Sequence, residues 1–261
     1  MSARATRTAM AVVMALTVAG CGAGDDRASG GAADGRVTGA VTVFAAASLT
    51  ESFRRIGKDF EAANPGSTVT LNVAGSSALA NQINQGAPAD VFASAAPANM
   101  ATVTEAGNAD GTPTTFARNQ LVIAVPRGNP GGVTGLADLS RPGVKVALCA
   151  KQVPCGAAAR TALDAAGVAL TPVTLEQDVK GALAKVKLGE VDAALVYRTD
   201  ARAASADVTG VEFPESARAV NDYPIVALKD APNPAGARAF VAYVRSAPAQ
   251  AVLAEAGFQA P

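Results

Sequence analysis

The sequence predicts an α/β fold, and three observations support this prediction. Short, predominantly apolar runs such as Val41–Ala45 and Leu121–Val125 are typical of strands that are covered on both faces. Segments with apolar residues at helical spacing follow such runs, as in Ser48–Ala63, which ends at Asn64-Pro65-Gly66. A chain of 261 residues that is 49% hydrophobic and 17% charged can also bury a core.

The same patterns predict the other elements in order along the chain. In the first half we expect a strand, a helix, a strand and a helix, at Thr68–Val73, Ala78–Gln85, Ala89–Ala93 and Pro97–Ala106. In the second half we expect a strand, two helices and a strand, at Val144–Leu148, Ala157–Ala166, Val179–Leu188 and Val191–Tyr197. A late strand and two helices complete the chain, at Tyr223–Leu228, Asn233–Arg245 and Pro248–Ala256.

Two strands are the candidate crossings between lobes, namely those that begin at Leu121 and Tyr223. With these crossings, lobe 1 comprises residues 40–120 plus 223–261, and lobe 2 comprises residues 121–222. A single large α/β domain is the alternative that the length also permits.

The first 20 residues have the features of an export signal. Arg4 and Arg7 precede an apolar run, Met10–Ala19, which is too short to span a bilayer comfortably. The run ends in Val18-Ala19-Gly20-Cys21, which resembles a bacterial lipobox.

We therefore expect residues 1–20 to be a lipoprotein signal peptide and Cys21 to be lipidated. An ordinary signal peptide followed by an incidental cysteine is the alternative. Residues 21–39 are rich in Gly, Ala and Asp and are predicted to form a flexible tether. The expected location is outside the cytoplasm, at the outer face of the cytoplasmic membrane.

Composition excludes several classes of function. Lys+Arg and Asp+Glu are balanced at 22 each, and removal of residues 1–20 with their two arginines would leave a net charge of −2, which argues against nucleic-acid binding. The absence of histidine removes the commonest general base and zinc ligand. No nucleophile elbow or phosphate-binding glycine loop is present. The acids are scattered, and nothing marks two of them as a catalytic pair among Asp90, Asp178, Asp192 and Asp200.

Small hydroxyl residues occur where predicted strands turn into helices. Ser48-Leu49-Thr50-Glu51 has the spacing of a capping box, so a helix cap is one interpretation of Ser48. Ser76 follows the second strand in a similar setting. The other interpretation is an anion site, because a helix N-terminus presents free N–H groups and the positive end of its dipole. Pro154-Cys155-Gly156 and Gln177-Asp178-Val179 precede two further helices.

Around these turns the chain resembles the periplasmic molybdate-binding proteins. The matching motifs of the first half are Val41-Thr42-Val43-Phe44-Ala45-Ala46-Ala47-Ser48-Leu49-Thr50, Gly75-Ser76-Ser77-Ala78-Leu79-Ala80-Asn81-Gln82-Ile83 and Gly86-Ala87-Pro88-Ala89-Asp90-Val91-Phe92. Those of the second half are Val153-Pro154-Cys155-Gly156, Asp178-Val179-Lys180-Gly181-Ala182-Leu183 and Leu195-Val196-Tyr197-Arg198-Thr199-Asp200-Ala201. The resemblance runs from about residue 41 to Phe258, and the ordered set is more specific than any one motif.

The resemblance implies a type II periplasmic binding protein fold. In this fold two α/β lobes, each a mixed sheet flanked by helices, are joined by two crossing strands and hold an oxyanion in the cleft. The implied ligand residues are Ser48, Ser76, Cys155, Val179 and Tyr197. The serines would donate through hydroxyl and backbone N–H, Cys155 and Val179 through backbone N–H alone, and Tyr197 through its phenolic O–H.

Alternatives remain open for three of these residues. Ser76 could be a helix cap, with Ser77 as the ligand residue in its place. Val179 could serve only helix packing, and Tyr197 could be a core aromatic at the end of an apolar strand.

Cys149 and Cys155 form an even pair in an oxidising compartment, which favours a local disulfide. Two buried free thiols are the alternative, and a metal site is less favoured because no histidine can complete it. Many members of the family have alanine at the position of Cys155 and a further serine at that of Gly75. A disulfide would brace the ligand loop, whereas a free Cys155 would place a thiol beside the anion.

Molybdate near neutral pH is a tetrahedral dianion whose oxygens only accept hydrogen bonds, so a site made of donors suits it. None of the five implied residues is acidic, which favours molybdate or tungstate over a protonated oxyanion, with sulfate excluded mainly by cavity size. We expect a monomeric receptor without enzymatic activity or cofactor, which delivers its cargo to an ABC permease and its ATPase. These partners follow from the resemblance only. A receptor for another oxyanion such as sulfate, or a lipid-anchored hydrolase, is the alternative.

Overall fold

The computed structural model describes residues 37–261, so the predicted signal peptide, Cys21 and most of the tether lie outside the described residues. The strands are β1 (Gly39–Ala46), β2 (Ser67–Ala74), β3 (Val91–Ala93), β4 (Ala109–Asn119), β5 (Leu121–Pro126), β6 (Val146–Cys149), β7 (Thr174–Glu176), β8 (Ala193–Tyr197), β9 (Val208–Val211) and β10 (Asn221–Leu228). The helices are α1 (Thr50–Ala63), α2 (Ser76–Asn84), α3 (Pro97–Glu105), α4 (Pro154–Ala166), α5 (Val179–Lys187), α6 (Arg198–Ala203), α7 (Pro234–Val244) and α8 (Ala247–Ala256). Within the described part of the chain, no helix has the length and apolar character needed to cross a bilayer.

The strands form two mixed five-stranded sheets with the same pattern, which confirms the predicted fold class. In the first sheet, of order β2-β1-β3-β10-β4, β1 is parallel to β2 and β3, whereas β10 is antiparallel to β3 and β4. In the second sheet, of order β7-β6-β8-β5-β9, β6 is parallel to β7 and β8, whereas β5 is antiparallel to β8 and β9. Each sheet therefore has three neighbouring parallel strands whose carboxyl ends share one edge.

The chain passes from one sheet to the other twice. Only Gln120 separates β4 of the first sheet from β5 of the second, and the chain returns between β9 and β10. Near its end, Gln259 pairs with Arg118 of β4 through two backbone hydrogen bonds of 2.9 Å. We call the first sheet with α1–α3, α7 and α8 lobe 1, and the second sheet with α4–α6 lobe 2.

The two lobes are packed with different side chains. In lobe 1, Phe53 and Phe60 of α1 face Phe240 of α7, with ring centroids 6.0 and 5.3 Å apart in edge-to-face geometry. Lobe 2 has a core of small aliphatic residues, mostly Ala, Val and Leu, contributed by β5, β6 and β8 and by α4 and α5. Both sheets are thus covered by helices, as their apolar strands require.

Three strands that the sequence pattern does not predict, β4, β7 and β9, all lie at the edges of their sheets. Gly111 and Pro113 interrupt the pattern of β4, and proline is tolerated there because the outer side of an edge strand needs no partner. β7 has three residues, of which Leu175 is 57% exposed. The short helix α6 is also not predicted. The other strands and helices are confirmed, although several ends differ by one to three residues.

Three predicted helix starts are displaced at the carboxyl edges of the sheets. The helix expected from Ser48 begins as a 3₁₀ turn, Ala47–Leu49, and continues as α1 from Thr50. Conversely, α2 and α4 begin earlier than predicted, at Ser76 and Pro154. Ser76 and Cys155 therefore lie in the first turns of their helices.

The carboxylate of Asp90 joins three segments of lobe 1. This side chain is buried, and its Oδ2 accepts a hydrogen bond of 2.7 Å from Thr42 N of β1. Its Oδ1 accepts one of 2.6 Å from Asn233 N, the residue before α7. Asp90 thus satisfies two backbone donors and stabilises the packing of these segments.

Replacement of this carboxylate should destabilise lobe 1. In Asp90→Ala, both N–H groups lose their charged acceptor, so we expect the free energy of unfolding to fall by about 3 kcal/mol. Urea denaturation measures the change. Asp164→Ala, at an exposed position on α4, is the control and should change stability by less than about 0.5 kcal/mol. Equal stability of the two variants would contradict this role.

Candidate functional site

The five residues that the family resemblance selects line one small cleft between the lobes. Ser48 and Ser76 come from lobe 1, whereas Cys155, Val179 and Tyr197 come from lobe 2. All five are buried. The cavity between its walls is small, with about 10 Å³ open to the centre of a water molecule.

The strand topology explains why these residues meet. Ser48 follows β1 and Ser76 follows β2, and these strands are parallel neighbours. In lobe 2, Cys155 and Val179 follow β6 and β7, and Tyr197 is the last residue of β8. Because the carboxyl ends of parallel strands lie at one edge of a sheet, each lobe brings its residues together, and the two edges face each other across the cleft.

Three helix N-termini point donors at the cleft. Ser76, Cys155 and Val179 lie in the first turns of α2, α4 and α5, where backbone N–H groups have no partner within the helix. The positive ends of three helix dipoles therefore meet where an anion would sit. Among the cleft residues that the structure describes, the one charged side chain is Asp178, whose Oδ1 caps α5 by accepting a hydrogen bond of 2.9 Å from Gly181 N.

Ser48 does not cap α1, so the capping interpretation of this residue is wrong. The helix begins at Thr50 without a side-chain cap. The Ser48 Oγ instead lies 2.9 Å from Tyr223 Oη on β10. Asn119 Nδ2 donates to the same Tyr223 oxygen at 3.5 Å. Tyr223 can therefore give its hydrogen to Ser48, which leaves the Ser48 hydrogen for an acceptor in the cleft.

Tyr223 supports the site, yet sequence reasoning did not select it. Its side chain is completely buried, and this burial raises its pKa well above the usual value, so the hydroxyl stays protonated. The available signal was weak: Tyr223 is one of three tyrosines in the chain and is the first residue of a predicted apolar strand. Its ring packs edge to face against that of Tyr197, with centroids 5.9 Å apart.

The Ser76 hydroxyl is also not a helix cap. The N-cap residue of α2 is Gly75, and Ser76 Oγ accepts a hydrogen bond of 3.0 Å from Ala95 N. This acceptor role leaves the hydroxyl hydrogen of Ser76 free to donate. Ser77, the alternative ligand residue, does not line the cleft.

Gly75 permits the two lobes to approach closely. A Cβ atom at this position would overlap the carbonyl oxygen of Gln177, the residue that precedes the cap of α5 in lobe 2. Backbone therefore meets backbone at this edge of the cleft, and any larger residue would require the lobes to move apart.

The Tyr197 hydroxyl is an unused donor in the wall of the cleft. The residue is 1% exposed, and its Oη has no hydrogen-bond partner among the described residues. Burial raises the pKa of Tyr197 well above its usual value, so the group remains an O–H donor. A buried hydroxyl without a partner is rare and costly, and a ligand oxygen in the cleft would satisfy it.

Cys149 and Cys155 form a disulfide in the structure, so Cys155 presents no free thiol to the cleft. The bond links the end of β6 to the first turn of α4. The loop between them is tight, because a Cβ atom on Gly156 would overlap the carbonyl oxygen of Ala150. The disulfide therefore fixes the position of the Cys155 N–H group.

Asp200 is a buried acid next to the site. Its side chain is fully buried on α6, and this burial raises its pKa to about 6. Lys180 Nζ lies 3.1 Å from Asp200 Oδ1, an ion pair that opposes the rise. Within residues 37–261, neither carboxylate oxygen has a partner of hydrogen-bond geometry. The same Nζ donates to Glu51 Oε2 at 2.8 Å, and the negative charge of Glu51 raises the pKa of Asp200 further.

The remaining acids that the sequence analysis considered serve the backbone. Asp192 Oδ2 accepts a hydrogen bond of 2.7 Å from Lys145 N, and Asp90 and Asp178 satisfy backbone donors as described above. Each of these carboxylates therefore has a structural role, because it accepts a hydrogen bond from the backbone.

Comparisons with known proteins agree with this geometry. A family model described as bacterial extracellular solute-binding protein matches residues 41–259. The molybdate-binding protein ModA of Mycobacterium tuberculosis (strain ATCC 25618 / H37Rv) is 46% identical over 252 residues, which cover 96% of this chain and 97% of that protein.

Two solved structures resemble the whole two-lobed body. The periplasmic molybdate-binding protein of Azotobacter vinelandii has a TM-score of 0.74 at 22% identity, covering 85% of this chain and 99% of that one. The sulfate-binding protein SubI from Mycobacterium tuberculosis H37Rv has a TM-score of 0.71 at 19% identity, covering 85% and 86%. At these identities the likeness concerns the fold alone.

Loss of the cation beside Asp200 should destabilise the protein in a pH-dependent manner. In Lys180→Met, Asp200 keeps Glu51 nearby and loses its compensating charge, so its pKa rises further. At pH 8 the parent holds an ionised Asp200, and we expect the variant to lose about 3 kcal/mol of stability. At pH 5 Asp200 is largely protonated in both proteins, so the loss should be clearly smaller.

Denaturant titrations at both pH values test this expectation. The matched control is Lys185→Met on the same helix, because Lys185 is about as exposed as Lys180 but pairs with Glu190, an exposed acid. The control should change stability by less than about 1 kcal/mol at either pH. A Lys180→Met loss that is equal at pH 5 and pH 8 would contradict the assignment.

Proposed function

Because the chain belongs to the family of bacterial extracellular solute-binding proteins, we propose that it captures molybdate outside the cytoplasm and delivers it to a membrane importer. The 46% identity to a molybdate-binding protein over nearly the full length supports the choice of cargo. The observation that carries the proposal is the cleft itself, a small space whose walls offer hydrogen-bond donors and no Lys or Arg among the described residues.

The donor set matches the chemistry of molybdate. Every oxygen of this dianion accepts hydrogen bonds, and bonds from N–H to a charged acceptor are about twice as strong as neutral ones. In the proposed complex Ser48 and Ser76 donate through hydroxyl and backbone N–H, Cys155 and Val179 donate through backbone N–H, and Tyr197 donates through its O–H. Neutral donors hold the anion without a buried cation that would lack a partner in the empty cleft.

We also propose how the receptor is anchored and which membrane proteins receive its cargo. Cys21 would carry the lipid that anchors the protein at the outer face of the cytoplasmic membrane, and residues 21–39 would let a monomeric body reach an ABC permease with its ATPase. The protein would bind without catalysis and without a cofactor, since molybdate is its cargo.

Isothermal titration calorimetry tests the cargo. We expect one equivalent of molybdate to bind, tungstate to bind as well because its charge and shape are the same, and sulfate and phosphate to bind far more weakly. Sulfate binding with no molybdate binding would instead make the protein a sulfate receptor, as the name of the structurally similar sulfate-binding protein SubI suggests for that protein. The absence of heat with all four anions would refute the oxyanion receptor.

Removal of the Tyr197 hydroxyl should weaken binding without weakening the fold. Tyr197→Phe takes away one donor to a dianion, so we expect the Kd for molybdate to rise about 10- to 100-fold. Since this hydroxyl has no partner in the described structure, the stability of the ligand-free variant should equal or exceed that of the parent.

Tyr243→Phe is the matched control for this experiment. Tyr243 packs against Phe60 in lobe 1, with ring centroids 5.5 Å apart, away from the cleft. Its variant should bind molybdate with the parent Kd. If Tyr197→Phe also bound with the parent Kd, Tyr197 would not be a ligand residue. The proposed receptor function would still stand.

A further inference from the structure

Lys180 lies between two acids that belong to different lobes. It is the second residue of α5 in lobe 2, directly after Val179 in the cleft wall. Its Nζ lies 3.1 Å from Asp200 Oδ1 in the same lobe and 2.8 Å from Glu51 Oε2 on α1 of lobe 1. Of the ion pairs within residues 37–261, the contact between Lys180 and Glu51 is the one that joins the lobes.

The two acids differ in how firmly they hold the cation. Asp200 is fully buried, and loss of Lys180 would leave its charge without compensation, so Lys180 is retained by lobe 2. The Glu51 side chain is 52% exposed, and water can replace Lys180 there at little cost. Separation of the lobes would therefore break the contact with Glu51 and keep that with Asp200.

We propose that Lys180 and Glu51 form a latch that slows the opening of the closed receptor, with Asp200 holding the cation in place on lobe 2. This inference rests on the proposed function and extends it from recognition of the anion to its release. Lys180 and Glu51 act as positioning residues in this role, since neither side chain lines the cleft.

The contact is partly exposed, so its effect should be modest and sensitive to salt. In Glu51→Gln the lobes lose one ion pair while every residue of the cleft wall remains. We expect molybdate to dissociate about two- to fivefold faster at low ionic strength. The association rate should change by less than about twofold, because the open form binds the anion. In 1 M salt the difference in dissociation should disappear.

A chase of radiolabelled molybdate from the full chain measures the release rate. The matched control is Glu190→Gln, which breaks the exposed pair with Lys185 within lobe 2 and should leave the rate unchanged. The double variant Lys180→Gln/Asp200→Asn keeps lobe 2 free of an uncompensated charge and should release molybdate as fast as Glu51→Gln. Addition of Glu51→Gln to that double variant should then have no further effect.

Small-angle scattering of the ligand-free proteins provides a second readout that does not need the anion. We expect Glu51→Gln to have a larger radius of gyration than the parent at low ionic strength and an equal one in 1 M salt. Equal release rates and equal radii of gyration at low salt would refute the latch. The proposal that the protein binds molybdate would not be affected by that result. If the parent bound no molybdate, the radii alone would decide the latch, and a larger radius for Glu51→Gln would support it.

Discussion

Three helices begin at one small cleft, and their free N–H groups can be satisfied there only by water or by an acceptor that enters. The sheet topology produces this convergence, because each lobe places three parallel strands side by side and aligns their carboxyl ends. Two tight contacts around the cleft keep these N–H groups close together. The disulfide positions the N–H group of Cys155, and Gly75 removes the side chain that would keep the opposite edge away.

The polar groups behind the cleft maintain its donor character. Burial keeps Tyr197 and Tyr223 protonated, and the chain of contacts from Asn119 through Tyr223 allows the Ser48 hydroxyl to donate into the cleft. The ion pair of Lys180 and Asp200 lies behind the cleft wall, and there the two charges compensate each other. A dianion can then be held by neutral groups, and the empty cleft contains no cation without a partner.

Local patterns in the sequence predicted the apolar strands and the helices, because burial of these elements leaves a periodic signal. They did not predict β4, since Gly111 and Pro113 look like a loop and the strand exists through its pairing with β10, about a hundred residues away. The turns at Ser48 and Ser76 were found because small hydroxyl residues follow predicted strands, whereas Cys155, Val179 and Tyr197 were selected by the family resemblance. Their hydrogen bonds were not found, since the partner of Ser48 is Tyr223, 175 residues further along the chain.

The contact between Gly75 and the Gln177 carbonyl has a consequence for how this receptor can change. Where a pocket wall is a side chain, a single substitution can enlarge or shrink it, and selectivity can drift in small steps. Here two main chains set the gap between the lobes, so no substitution at residue 75 can make it narrower. Evolution or engineering toward a smaller oxyanion would have to begin elsewhere, in the curvature of the sheets or the length of the turns.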